Sequence, residues 1–282
     1  MPFRDFVELT KPRLGSLVFF TTGAGMLLAP GQLSQIDTLA TLLLTTLIVA
    51  SSSVFNQILE RDVDPLMVRT ADRPLAARRM SVRKAAWFGA VLGIVAIPLL
   101  AWRINLLTGL LGLGAWLLYI LVYTPTKQRS VAAVYVGAIP GATPVLMGWT
   151  AVTNSLDAPG LVLFAILFLW QIPHFIAISM FRRDEYARAG FKVLPVEYGD
   201  RASLWHMLGT CIGLVVATML PLYYGIGGIL YAFTAVVLAS TAIVGTLWGM
   251  FETANALWAR RYFLVTIIYL PVLLGVLVID RI

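Results

Sequence analysis

Asn56, Glu60 and Asp64 stand at i, i+4 and i+8, where a long apolar run over residues 38–56 gives way to charge. At 100° per residue this spacing keeps three side chains within about 80° of one another on a single helix face. An amide and two carboxylates in a column are hard oxygen donors. They suit Mg²⁺, an ion usually held by one or two carboxylates together with substrate phosphates. Asp62 points about 120° away from Asn56 and reads as solvated or paired with a neighbouring arginine. Pro65 is expected to end the helix at Asp64. Arg69 and Arg73 follow in "RTADRP", and guanidinium groups grip phosphate oxygens two at a time. The combination points to a metal-chelated diphosphate; the alternative is a helix end with ordinary surface charges.

A second acidic pair, Asp184 and Glu185, arrives as a later apolar segment ends. On the same side as the first cluster, it would let two metal ions share one diphosphate, with Tyr186, the Gly190 turn and Lys192 completing a loop over it. The competing reading is a solvated interfacial helix with an Asp184–Arg188 pair. Tyr123 precedes Lys127 by four residues; the two suit a diphosphate oxygen, or equally a membrane-boundary anchor. His174 follows Pro173 inside an apolar segment. An ionisable side chain there is a functional candidate, and its partner is either a helix carbonyl freed by the proline or a bound substrate. His206 reads as an interface residue. Cys211, the only cysteine, reads as a small buried residue and excludes an intramolecular disulfide or a cysteine-based zinc site.

These residues are strung between segments that belong in a membrane. Of 282 residues, 59% are hydrophobic and 12% charged, about half the charge of a soluble domain. Nine segments approach the roughly 20 apolar residues of a spanning helix: 15–30, 38–56, 85–102, 105–123, 131–152, 160–181, 204–224, 228–250 and 262–279. Pro98, Pro140, Pro144, Pro173 and Pro221 are candidate kinks. Nineteen of the twenty-one lysines and arginines fall in the N-terminal arm and the even-numbered connections; only Arg103 and Arg281 do not. That asymmetry predicts a cytoplasmic N-terminus, nine spans and a C-terminus outside. Basic residues scattered between apolar runs, rather than in one patch, argue against nucleic acid as a partner. Residues 3–10 suit a short helix lying on the membrane surface.

"LTKPRL" (9–14), "NQILERDVDPLMVRTADRPL" (56–75), "YTPTKQRS" (123–130), "GAIPGATPVLMGW" (137–149), "LWQIPHF" (169–175) and "DEYARAGFKVLPV" (184–196) together resemble the intramembrane aromatic prenyltransferase (UbiA-type) superfamily, and within it the branch that farnesylates haem. The resemblance runs over most of the chain. It implies an all-α integral membrane protein, with nine transmembrane helices around a central cavity open to the cytoplasmic side, as one domain over 1–282. It implies an Mg²⁺-dependent transfer of a farnesyl group from farnesyl diphosphate to a vinyl group of haem b, in the cell inner membrane. A haem A synthase or terminal oxidase assembly is then an expected partner. By motif, Asn56, Glu60, Asp64 and Asp184 would hold metal, with Glu185 beside them. Arg69, Arg73, Tyr123, Lys127 and Lys192 would face the diphosphate, and His174 the haem. The competing activities are prenylation of a quinone-precursor ring and, in another class, membrane carriage of haem or an anionic lipid.

Overall fold

Long helices begin where a short polar side chain can take up a free backbone N–H. Ser34 accepts from Asp37 N, Asn105 from Thr108 N, Asp157 from Gly160 N and Asn255 from Trp258 N. The structure, a computed structural model, describes residues 3–251 and 254–281. Its helices are α1 Phe3–Leu9, α2 Pro12–Leu28, α3 Gln35–Leu59, α4 Val82–Arg103, α5 Leu106–Leu117, α6 Thr124–Thr126, α7 Ala133–Thr153, α8 Ala158–Phe181, α9 Arg183–Arg188, α10 Leu194–Glu197, α11 Gly199–Tyr223, α12 Ile229–Phe251 and α13 Ala256–Ile279. A π-helical turn, Leu118–Tyr123, joins α5 to α6 into one rod.

Among the described residues, seven helices are long and apolar enough to cross a membrane: α3, α4, the α5–α6 rod, α8, α11, α12 and α13. The nine expected segments all fold as helices, but α2 and α7 fall outside that set. α2 has only 17 residues. α7 carries glycines, prolines and threonines that lower its hydropathy, and it is the helix most wrapped by protein, with Trp149, Val145 and Ala142 buried. It packs between α2 and α8, and α13 closes on α8.

Small residues set how closely α2 and α7 approach, as is common where membrane helices pack. A Cβ on Gly25 would stand 2.0 Å from the Val145 carbonyl oxygen, and one on Gly148 would stand 2.0 Å from the Thr22 carbonyl oxygen. Both obstacles are backbone, so neither can rotate aside. Gly25→Ala is therefore expected to destabilise by at least about 1–3 kcal/mol, read as a lower unfolding temperature in detergent. A surface control, Gly114→Ala, has open space around its Cβ and should leave that temperature unchanged.

The end of the bundle with few basic residues leaves no described ion without a partner. Arg103 pairs with Asp37 at 2.9 Å, Asp157 caps α8, Asp280 accepts from Tyr231 N, and Arg281 donates to the Leu27 and Ala29 carbonyls. At the other end, α1 is docked rather than lying free. Its Leu9 is fully buried with Val54, Leu75, Met80 and Ala85, and Asp5, also buried, pairs with Arg79 at 3.2 Å. Phe3 remains exposed.

Candidate active site

The expected column of oxygen donors forms, by a slightly different route. α3 ends at Leu59, not at Asp64, and Asp64 opens a short 3-10 turn with Pro65. The backbone keeps its i→i+4 rhythm across the break: Glu60 N donates to Asn56 O at 2.9 Å and Asp64 N to Glu60 O at 2.8 Å. Asn56, Glu60 and Asp64 are consequently all turned inward and buried. Asp62 points to solvent, 3.5 Å from Arg61.

Each of the three donors meets a cation. Lys11 Nζ donates to Asn56 Oδ1 at 2.9 Å. Lys127 Nζ donates to Glu60 Oε1 at 2.7 Å. Arg73 Nη1 donates to both oxygens of Asp64, at 2.8 and 2.9 Å. The amide orientation of Asn56 follows from its other bond, Nδ2 to Thr124 Oγ1 at 3.3 Å, since the Thr124 hydroxyl proton goes to Tyr119 O. Burial opposes charge on Glu60, but the bonded Lys127 ammonium, with Lys11 and Arg73, holds its carboxyl below the usual range. For Asp64, burial outweighs Arg73 and pushes the carboxyl up. Burial, with Arg73 and Lys127 close by, pulls the Lys11 ammonium down to about 7. Lys127 is raised: burial opposes its charge, but Glu60, Tyr123 and Tyr119 together more than offset this.

Behind this mouth lies a cavity of about 420 Å³ lined from α2, α3, the α5–α6 rod, α7, α8 and α13. On α3 its wall runs from Glu60 down to Ile48, and on α8 from Ser179 to Leu167, each a depth of about 18 Å at 1.5 Å per residue. The π turn puts Tyr119 and Tyr123 on the wall with ring centroids 5.0 Å apart, a use of π geometry common at functional sites. Lys127 Nζ sits 4.6 Å from the Tyr123 ring centroid, a cation–π distance. Gly137 gives that ring its room: a Cβ there would lie 2.4 Å from it. The deeper wall carries Trp116, Trp170, Gln171, His174 and Phe175.

The connections after α3 and α8 meet over the mouth. Met67 packs against Ala189 and Phe191, Arg69 donates to Tyr186 Oη at 2.8 Å, and Lys192 N donates to Lys127 O at 2.8 Å. Gly190, at φ 70°, makes the turn. The Lys192 ammonium is bonded to Glu197 at 3.0 Å.

Of the residues singled out in the sequence, Asn56, Glu60, Arg69, Arg73, Tyr123, Lys127, His174 and Lys192 line the cavity. Asp64 lies just behind Arg73. The second acidic pair does not join them. Asp184 is exposed, and Glu185 folds back to Arg182 at 2.8 Å. Neither lines the cavity. The reason is the break at Arg182: it re-aims the chain so that α9 turns Tyr186 inward instead. The protein partner of His174 is not the expected freed carbonyl but the Thr266 hydroxyl, 2.8 Å from Nδ1. Sequence reasoning missed Lys11, Tyr119 and Thr266. Lys11 lies 45 residues before its partner; its one local signal is a lysine directly before a helix-starting proline, held at φ 52°.

The site's donor set fits Mg²⁺ in chemistry: three buried oxygen-bearing side chains, two of them carboxylates. Among the described residues no group of three or more histidine, cysteine or carboxylate side chains is placed to hold a metal, so substrate oxygens would have to complete the coordination.

Comparison with known proteins gives a consistent picture. The profile of the UbiA prenyltransferase family matches residues 17–268. A protein of Myxococcus xanthus named protoheme IX farnesyltransferase is 46% identical over 278 residues, covering 99% of this chain and 95% of the relative. A solved structure concerning digeranylgeranylglyceryl phosphate synthase superposes with a TM-score of 0.84 at 19% identity, covering 98% of this chain and 97% of that one. A UbiA homologue of Archaeoglobus fulgidus, solved with GPP and Mg²⁺, gives 0.66 at 17% identity, covering 97% and 99%.

Proposed function

The chain belongs to the UbiA prenyltransferase family, and we propose that it transfers the farnesyl group of farnesyl diphosphate to a vinyl group of haem b, giving haem O and pyrophosphate. The observation that carries this reading is near-full-length identity of 34–46% to relatives named protoheme IX farnesyltransferase. The mouth supplies the chemistry such a reaction needs. Lys127 and Arg73 balance the two carboxylates, Glu60 and Asp64, and Lys11 and Arg69 beside them tip the mouth toward positive charge. That balance suits a diphosphate arriving with its Mg²⁺.

Asn56, Glu60 and Asp64 would hold the metal, which when bound neutralises charge on the leaving diphosphate. Lys127, Lys11, Arg73 and Arg69 would turn from Glu60, Asn56, Asp64 and Tyr186 toward phosphate oxygens, stabilising the negative charge that grows as the farnesyl C1–O bond breaks. Tyr119 and Tyr123 present ring faces just below, where an allylic cation develops. The vinyl π electrons form the new C–C bond to C1, and water adds to the resulting cation beside the porphyrin ring, losing a proton. The apolar cavity keeps other water from C1.

The excess positive charge makes Mg²⁺ alone a poor ligand. Calorimetric titration is expected to show weak Mg²⁺ binding without farnesyl diphosphate and at least about tenfold tighter binding with it, reciprocally. Equal Mg²⁺ affinity in both conditions would remove the shared-site reading.

We also read α2 and α7 as spans, for nine in one intramembrane domain, with the mouth and N-terminus cytoplasmic. The 19-to-2 distribution of basic residues supports this orientation. The deciding assay is purified protein with Mg²⁺, farnesyl diphosphate and haem b. A haem species heavier by a farnesyl group and one hydroxyl, with equimolar pyrophosphate, is expected. Pyrophosphate released from farnesyl diphosphate in the presence of a quinone-precursor ring but not of haem would mean another acceptor; haem uptake into vesicles without pyrophosphate would mean a carrier.

A further inference from the structure

His174 offers one free lone pair to the cavity, and the surrounding hydrogen bonds say which nitrogen carries it. The Thr266 hydroxyl has a single proton, and it is donated to the Phe263 carbonyl at 2.6 Å. Thr266 can therefore only accept at its 2.8 Å contact with His174, so Nδ1 carries the proton and Nε2 of the neutral ring does not. The ring is clamped on its faces by Trp170, with centroids 4.9 Å apart, and Phe263, at 4.8 Å.

Among the described residues, the donors beside the ring are already engaged elsewhere. Trp170 Nε1 donates to Thr266 O at 2.9 Å. Gln171 Nε2 donates to Leu167 O and Ala138 O, and Ser179 Oγ to Ile176 O. Since His174 lines the cavity, the partner of Nε2 must come from what occupies it. Among the groups in the proposed reaction, diphosphate and propionate are themselves acceptors, the water that completes the product offers only a hydrogen bond, and the prenyl chain and the vinyl group have no site for a lone pair. The iron of haem has one.

We propose that His174, through Nε2, is an axial ligand to the iron of the haem substrate, with Thr266 positioning the ring. A histidine that binds a metal almost always donates its other N–H to an acceptor, which fixes the tautomer and strengthens the ligand; Thr266 does this here. His174 lies seven residues before the cytoplasmic end of α8, about 10 Å below it. That depth would place the haem below the diphosphate mouth.

This inference rests on the haem reading above, and the test separates the two. Haem b is titrated into the purified full-length protein and into H174A, H174G and T266V, recording ferric and ferrous absorption spectra and the affinity for farnesyl diphosphate. Wild type should show a histidine-ligated haem. H174A should lose that spectrum and bind haem at least about tenfold more weakly, with farnesyl diphosphate affinity retained as the check on folding. H174G should regain the spectrum on adding imidazole. T266V should keep the ligand but weaken haem binding about tenfold or more. An H174A protein with unchanged haem spectrum and affinity overturns the ligation, whether turnover survives or falls; a fall would assign Nε2 to the water that completes the product. If wild type takes up no haem b, the farnesyl-transfer reading itself fails.

Discussion

Glu60→Ala and Asp64→Ala are each expected to lower turnover by about 10²–10³-fold or more, whereas Asp62→Ala should stay within about twofold. Both inward carboxylates have a dual task. They are the charged members of the oxygen-donor set, and they hold the cations that would move to the diphosphate. Removing Glu60 also leaves Lys127, 21% exposed, without its counter-charge. Cutting one partner from a buried pair commonly costs about 3–5 kcal/mol, so Glu60→Ala should be less stable as well as slow. Glu60→Gln keeps shape and loses charge; it should fold better and stay slow, which separates chemistry from stability. Asp62 supplies the control because its side chain is 81% exposed and faces Arg61 alone. Measured turnover in Asp62→Ala as low as in Asp64→Ala would refute the inward-face assignment.

Arg73→Ala should be nearly as damaging, for an electrostatic reason of its own. Asp64 is 1% exposed and takes both of its side-chain hydrogen bonds from Arg73. Without the guanidinium, a buried carboxylate is left with no positive partner at contact distance. The expected loss is about 3–5 kcal/mol of stability, with turnover reduced at least about 10²-fold. Arg73→Lys restores charge without the two-pronged geometry and should recover most of the stability but only part of the activity. Asp64→Asn in the Arg73→Ala background should recover stability alone, since the buried group is then neutral. Thermal unfolding and turnover measured on the same four proteins test this; equal stability of Arg73→Ala and wild type would remove Asp64 from the buried pair.

The inward face of Asn56, Glu60 and Asp64 was legible in the sequence because it is a local property: the four-residue rhythm survives even where α3 ends early, carried by backbone bonds through Glu60. The helices were legible for the same kind of reason, since twenty apolar residues in hydrocarbon have few other ways to satisfy their backbone. Charge asymmetry along the chain likewise needs no contacts to be read. α7 shows the limit of hydropathy: a helix wrapped by other helices can trade bulk for glycine and proline, so its composition grows less apolar as its burial rises.

Contacts between distant segments belong to the tertiary structure alone. That Lys11 reaches Asn56 depends on α1 being pinned by Arg79 and Gln57, the latter bonded to the Leu9 carbonyl. That Asp184 and Glu185 stay out of the cavity depends on one break at Arg182. The protonated nitrogen of His174 is set by Thr266, 92 residues away. Residue types and spacing determined that a metal–diphosphate mouth could exist at the end of the second apolar segment. Packing decided which cation meets each carboxylate and which nitrogen of His174 is left open, because those choices rest on hydrogen-bond geometry between helices that sequence order does not encode.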